Sequence, residues 1–228
     1  MNTEKLKQLS AERAVEVVQS GMIVGLGTGS TICYGLLKLG EMLRNGLDII
    51  GIPTSKQTER IASEQGIPLS TLGKHPVVDL TIDGADEVNP NLDLIKGMGG
   101  ALLREKIIAH ASKRLIIIVD DSKLVEALGT KSPLPVEVLP FGWRATQLVL
   151  DQICRQSDLR CVGDVPFVSD NGNYILDCHF DSIPDPAQTE LTINNIPGVV
   201  ENGLFVGRAG RVVIGTASGI QVNERVVE

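Results

Sequence analysis

The stretch Ile23–Gly35, IVGLGTGSTICYG, decides how the chain folds. Its first residues are apolar and β-prone, its middle alternates glycine with small residues, and its end has the apolar spacing of a helix. A strand, a glycine turn and a helix in that order form the first half of a βαβ unit. A glycine run that opens a helix gathers free N–H groups at the positive end of the helix dipole, where anions bind. The same turn serves equally as a plain tight connection in which glycine supplies positive φ.

Two nucleotide readings fail on named residues. A dinucleotide fingerprint, G-x-G-x-x-G, is met by Gly25 and Gly27, but its last position is Ser30, and the second strand ends in GIPTS with no acid for a ribose. A P-loop needs G-K-[ST], and Gly29 is followed directly by Ser30 and Thr31. What remains is a set of hydroxyls and backbone amides, Thr28 to Thr31, suited to a compact phosphate monoester.

Outward from this stretch, the pattern repeats. Residues 4–19 read as a helix on Leu6, Leu9, Val15, Val17 and Val18; 22–27 as a strand; and 30–46 as a helix with Ser30 or Thr31 as N-cap. Strands follow at 47–53, 78–86 and 114–121, with helices at 55–66 and 101–112. This alternation predicts right-handed crossovers and a mostly parallel sheet covered on both faces. The proline-rich stretch 129–142 breaks the rhythm. Beyond it come a helix over 143–156, an alternating strand over 173–180 and a helix near 186–195, and then 211–219 reads as a buried strand returning to the first sheet.

The expected architecture is therefore α/β. A mostly parallel Rossmann-like sheet domain (1–130 plus 206–228) has a smaller α+β domain (131–205) inserted before the last strand. The small domain is also a candidate oligomer interface.

Composition agrees with a globular domain of 228 residues, 43% hydrophobic and 21% charged, which is long enough to bury a substantial core. A net charge of −7 without a Lys/Arg run argues against nucleic acid or an anionic membrane as partner. The opening MNTEKLKQLS has no apolar h-region, so no secretory signal is expected there. The longest strongly apolar run, RLIIIV at 114–119, is far shorter than the roughly 18 residues of a membrane span. Cys33, Cys154, Cys161 and Cys178 show no C-x-x-C spacing, and His75, His110 and His179 are scattered, so reduced thiols and no metal site are expected.

Two further constellations fall at the carboxyl ends of predicted strands, the edge at which open α/β sheets bind ligands. TIDGADEV (81–88) sets Asp83 and Asp86 around Gly84 and Ala85. The pair suits sugar hydroxyls or a metal, and equally suits local turn chemistry. LIKGMGGALLREKIIAHA (94–111) sets Lys96 before the turn Gly97, Met98, Gly99, and places Glu105 on a helix face shared with Ala101. Ile107, Ile108 and Ala111 are expected to form the apolar side of that helix. VDDSKLVEALG (119–129) adds Lys123 just after the next strand.

In combination and order, GLGTGST (25–31), DGADEV (83–88), KGMGGALLREKI (96–107), DDSKLV (120–125), PLPVEVLPFG (133–142) and IPGVVENGLF (196–205) resemble the ribose-5-phosphate isomerase A family over nearly the whole chain. The resemblance implies a cofactor-free aldose–ketose isomerase of the pentose phosphate pathway, interconverting D-ribose 5-phosphate and D-ribulose 5-phosphate. It implies that Thr28, Gly29, Ser30 and Thr31 form the substrate loop. Asp83, Gly84, Ala85, Asp86, Lys96, Gly97, Met98 and Gly99 would be further substrate contacts. Glu105 would be the base, with Asp83, Asp86 and Lys96 assisting, and Lys123 one more substrate contact. Met98 stands where some members carry glycine.

The chemistry asks for these residue types. One carboxylate moves a proton between C2 and C1 through an enediolate, and a buried site beside two aspartates is expected to raise its pKa toward neutrality. A cytoplasmic homodimer or homotetramer with a small-molecule substrate, no metal and no nucleic-acid or membrane partner completes the expectation. Two other classes share parts of the pattern. A non-catalytic sugar-phosphate sensor would keep the GTGS loop without needing Glu105. An acyl-CoA transferase-like enzyme would use a glutamate as nucleophile.

Overall fold

In the computed structural model, which describes residues 2–225, the chain opens with helix α1 (Thr3–Val15). The Asn2 side chain caps it by accepting the Lys5 N–H at 3.0 Å. There follow β1 (Ile23–Leu26), α2 (Ser30–Arg44), β2 (Ile50–Pro53), α3 (Lys56–Glu64) and β3 (Leu80–Gly84). Two short strands, β4 (Glu87–Val88) and β5 (Leu94–Ile95), precede α4 (Leu102–His110), β6 (Leu115–Asp120) and a 3-10 turn over Asp121–Lys123. Next come β7 (Leu134–Val138), α5 (Trp143–Leu150), β8 (Gln156–Leu159), β9 (Cys161–Val162), β10 (Val165–Pro166) and β11 (Tyr174–His179). The chain then runs through α6 (Pro186–Asn194), β12 (Val199–Asn202), β13 (Leu204–Phe205), β14 (Arg211–Thr216) and β15 (Gly219–Glu224).

These elements fall into two units. Unit 1 takes the chain up to 85, residues 104–123, and the chain from 207 on; unit 2 takes 86–103 and 124–206. Unit 2 thus includes 86–103 and 124–130, which lie before the start expected at 131. Two interactions hold these segments there. β5 pairs with β13, Leu204 opposite Ile95. The buried carboxylate of Glu87 accepts the N–H groups of Gly129, Lys131 and Ser132, each at 2.6 Å.

Unit 1 is built on one six-stranded sheet in the order β2-β1-β3-β6-β14-β15. All neighbours are parallel except the β14–β15 hairpin. The return strand expected over 211–219 is β14, and an antiparallel edge strand that was not expected, β15, follows it. Successive residues of a strand face opposite sides. Val24, Leu26, Leu80, Ile82, Ile116 and Ile118 turn to one side and pack with Ala11, Ala14 and Val15 of α1 and Ile32, Leu36 and Leu39 of α2. Ile108 of α4 covers the other side beside Ile52 and Val78. Order reverses between β1 and β3: the chain steps from β1 outward to β2, then returns to β1's other flank. That is the topological switch point, where open sheets of this kind bind ligands outside the strand ends.

Unit 2 has a four-stranded antiparallel sheet, β12-β7-β11-β8, and a three-stranded one, β13-β5-β4. Leu134, Val136, Val138, Leu176 and Cys178 pack with Leu150, Ile193 and Ile196. The opposite face of the larger sheet carries Pro135, Glu137, Ile175 and Asp177, paired across the ladder. The helix expected over 143–156 ends at Leu150, because 156–159 pairs instead with β11 as β8. Among the described residues, no helix is long and apolar enough to cross a membrane.

Candidate active site

In unit 1 the glycine stretch forms the expected strand, turn and helix, but the cap differs. The N-cap of α2 is Gly29, at φ 122, and no side chain caps the helix. Glycine reaches that φ without strain. Ser30 and Thr31 are therefore inside the first turn, and the exposed Gly29–Ser30 end of a 15-residue helix keeps its first N–H groups uncapped by side chains. The other three helix starts with assigned caps that involve side chains are closed by Asn2, Ser55 and Asp185.

Thr28 does not turn its hydroxyl outward. Its Oγ1 lies 2.7 Å from Thr54 Oγ1 and 2.8 Å from Ser55 Oγ, and the residue is buried. Ser55 Oγ donates to Thr58 Oγ1 at 3.0 Å, and Thr58 Oγ1 donates to the Gly27 carbonyl at 2.8 Å. Each hydroxyl has a single proton. Since Thr28 donates to Ser55, the proton between Thr54 and Thr28 belongs to Thr54. The chain of donors then runs one way, Thr54 to Thr28 to Ser55 to Thr58 to the Gly27 carbonyl, and closes on the residue before Thr28. The sequence pattern marks Ser55 only as the start of a helix. Three hydroxyls within five residues after a strand were the available signal.

Asp83 stands at the carboxyl end of β3 on the α4 side of the sheet, since Leu80 and Ile82 face the other way. It is 1% exposed, and its Oδ1 accepts the N–H groups of Thr28 at 3.1 Å and Gly84 at 2.8 Å. A Cβ on Gly27 would come within 2.2 Å of that oxygen and 2.6 Å of the Asp83 Cα. Glu105 is on the same side of the sheet. Ile108 sits against Gly25, where a Cβ would come within 2.8 Å of its Cγ2. Glu105 is three residues earlier, about 4.5 Å nearer the carboxyl edge by helical rise. It is 4% exposed.

The helix around it differs from expectation. Ile108 is buried, but Ile107 is 49% exposed, and the buried stripe is Leu102, Glu105, Lys106, Ile108 and Ala109. Two ionisable side chains occupy the face an apolar pair would normally take. Lys123 ends the 3-10 turn after β6 and is half-buried. Just before it, the buried Asp120 carboxylate accepts the Ser122 N–H and hydroxyl.

In unit 2, Asp86 Oδ2 accepts the Met98 N–H at 3.0 Å. Lys96 is 3% exposed, its N–H donates to the Gly203 carbonyl at 2.9 Å, and its Nζ lies 5.5 Å from the centre of the Phe205 ring. Gly97 is buried at φ 108, while Met98 and Gly99 are exposed. Arg160, which drew no notice in the sequence, reaches this turn as well. Its Nη1 donates to the carbonyls of Gly97 at 2.8 Å and Met98 at 3.1 Å.

Residues 50–219 match the family model for ribose 5-phosphate isomerase A (phosphoriboisomerase A). The chain is 56% identical to a ribose-5-phosphate isomerase A of Gloeobacter violaceus over 97% of both chains. A solved D-ribose-5-phosphate isomerase in complex with phospho-erythronic acid superposes with a TM-score of 0.96 at 43% identity, covering 99% of this chain and 100% of that one. The ribose 5-phosphate isomerase A of Methanocaldococcus jannaschii gives 0.92 at 41% identity, covering 97% and 99%.

Proposed function

The chain belongs to the ribose 5-phosphate isomerase A family, and from that premise we propose how its own residues carry the reaction. The protein is an aldose–ketose isomerase that interconverts D-ribose 5-phosphate and D-ribulose 5-phosphate. The proton that moves between C2 and C1 is carried by Glu105, through an enediolate. A single carboxylate can take the proton from one carbon and return it to the next, with no net redox change. Its burial on α4, on the Asp83 side of the sheet, is the observation that best supports this role. A sensor domain would have no use for a buried carboxylate on that face.

Lys96 supplies positive charge to the enediolate oxygens, where electrostatic stabilisation gives the larger share of rate. Asp83 and Asp86 handle hydroxyl protons and ring opening. Their bonds to the Thr28, Gly84 and Met98 N–H groups fix both carboxylates before substrate arrives. The phosphate is held by the α2 N-terminus, with the Ser30 and Thr31 hydroxyls, and by Lys123. Thr28 shapes the loop without touching the phosphate, because its hydroxyl is spent on Ser55 and its N–H on Asp83. Gly84, Ala85, Gly97, Met98 and Gly99 line the sugar with backbone. Anchoring the phosphate orients C1 and C2 at the base.

The enzyme works in the cytoplasm as a homodimer or homotetramer joined through unit 2. An apolar groove there, of about 610 Å³, is lined by Leu139, Phe141, Ala145 and Val149, with Phe141 94% exposed. Phe141→Asp should lower the sedimentation coefficient; an unchanged value removes this face as the joint.

Incubation with ribose 5-phosphate in D₂O tests the function itself. Deuterium entering at C2, with ribulose 5-phosphate appearing, is the expected result. Binding without exchange would leave only a sugar-phosphate receptor.

A further inference from the structure

We infer that Arg160, held by Asp177, is a positioning residue that sets the direction of the backbone N–H groups in the Lys96–Gly100 turn. The inference rests on the reading above, in which that turn contacts the sugar.

Arg160 follows β8, and its N–H pairs with the Ile175 carbonyl at 2.9 Å. Asp177, two residues further along β11, shares the sheet face of Ile175. Arg160 Nε donates to Asp177 Oδ2 at 2.9 Å, and Nη2 donates to Oδ1 of the same carboxylate. Both side chains are largely buried, at 12% and 16% exposed. This two-point grip leaves the guanidinium no freedom to rotate in its plane. Nη1 is thereby aimed at the turn, where it takes the Gly97 and Met98 carbonyls together. Phe167 supports the other end. Its ring lies 5.9 Å from the Arg160 guanidinium and fills the space beside Gly100, where a Cβ would come within 2.4 Å of its Cζ.

Holding those two carbonyls orients two peptide groups. In a trans peptide, the C=O of one residue and the N–H of the next point in opposite directions. With the Gly97 carbonyl on Arg160, the Met98 N–H must point away from it, and it does so onto Asp86. With the Met98 carbonyl on the same nitrogen, the Gly99 N–H is likewise turned away from Arg160. Gly99 is exposed. Arg160 therefore presents the Gly99 N–H as a preset donor for a developing oxyanion, and fixes Asp86 through the Met98 N–H. Because Asp177 balances its charge, Arg160 acts by geometry rather than by field. A lysine there would keep the charge and lose the fork.

The test compares wild type, Arg160→Ala and Arg160→Lys, each checked by circular dichroism for folded fraction. A donor turned out of place by about 1 Å costs up to ~100-fold in turnover. We expect kcat to fall by that order in both variants, with KM for ribose 5-phosphate changed less than the turnover. Guanidinium ion at tens of millimolar should restore part of kcat to Arg160→Ala and none to Arg160→Lys, whose side chain fills the space. A merely structural arginine would lose kcat only in proportion to unfolded protein. Wild-type kcat in both variants, or a loss that vanishes on correction for folded fraction, overturns the inference. A wild-type protein that fails to exchange the C2 proton would instead overturn the function, so the two failures are distinct.

Discussion

Asp83 Oδ1 accepts the backbone N–H of Thr28 at 3.1 Å, tying the end of β3 to the turn after β1. The bond crosses the switch point of the sheet and needs the two backbones to come very close. Gly27 permits it. Its absent side chain leaves the space that the Asp83 carboxylate and Cα occupy.

Gly27→Ala should therefore destabilise the protein by about 1–3 kcal/mol, the usual cost of forcing a methyl group into packed structure. Truncating the neighbour should not rescue it, because the Asp83 Cα, at 2.6 Å from the new methyl, remains. Urea denaturation of Gly27→Ala and of Gly27→Ala with Asp83→Ala checks both points. A double variant as stable as Asp83→Ala alone would refute the clash with backbone.

The hydroxyl chain has a direction, so its members should differ in cost. Thr58 both accepts from Ser55 and donates to the Gly27 carbonyl, whereas Thr54 stands at the head of the chain. Thr58→Val should cost about 1–3 kcal/mol by stranding buried partners. Thr54→Val should cost less. Equal losses in chemical denaturation would contradict the assigned direction.

Glu105→Gln keeps the shape of the side chain and removes the base. It should fold normally and lose about 10²–10⁴-fold in kcat, the range supplied by a positioned base. Turnover near wild type in the folded variant would exclude Glu105 from proton transfer.

Asp79 makes stability depend on pH. Its carboxylate accepts from Lys113 Nζ at 2.7 Å and from the Ile23 N–H, at the start of β1, at 2.9 Å. The Lys113 bond, then the Ile23 bond, hold its pKa below the ordinary aspartate value. A lowered folded-state pKa means stability that is present above the unfolded value and lost as pH falls through the folded one. The Tm gap between wild type and Asp79→Asn should be fully open at pH 6 and shrink below about pH 4, near the unfolded pKa. A gap independent of pH would remove the ionised Asp79 from the account.

The alternation of strands and helices made unit 1 legible, because each buried parallel strand is a short apolar run closed by a turn. The burial of Glu105 was not legible in the helix pattern, which sets the apolar side on Ile107, Ile108 and Ala111; in the structure Glu105 is buried beside Ile108 and Ile107 is exposed. Several features were hidden for physical reasons. β7 carries Pro135 yet pairs on both flanks, which strand preferences argue against. The α2 cap went to Gly29, because positive φ served better there than a hydroxyl. Arg160 and Thr58 act through tertiary contacts 63 and 31 residues away in sequence, and no local pattern announces those.

The sheet order carries a cost during synthesis. β6 is buried along all six residues, and its second neighbour, β14, begins only at Arg211. Between Asp120 and Arg211 a ribosome adds about 90 residues, which at 5–20 residues per second takes roughly 5–20 s. Through that interval the sequence LIIIVD has one edge of its backbone unpaired, in an apolar strand of the type that recruits other chains. A nascent chain halted at the end of unit 2 would keep that edge open, so the last hairpin moves the rim of the sheet from the wholly buried LIIIVD strand to the largely exposed β15.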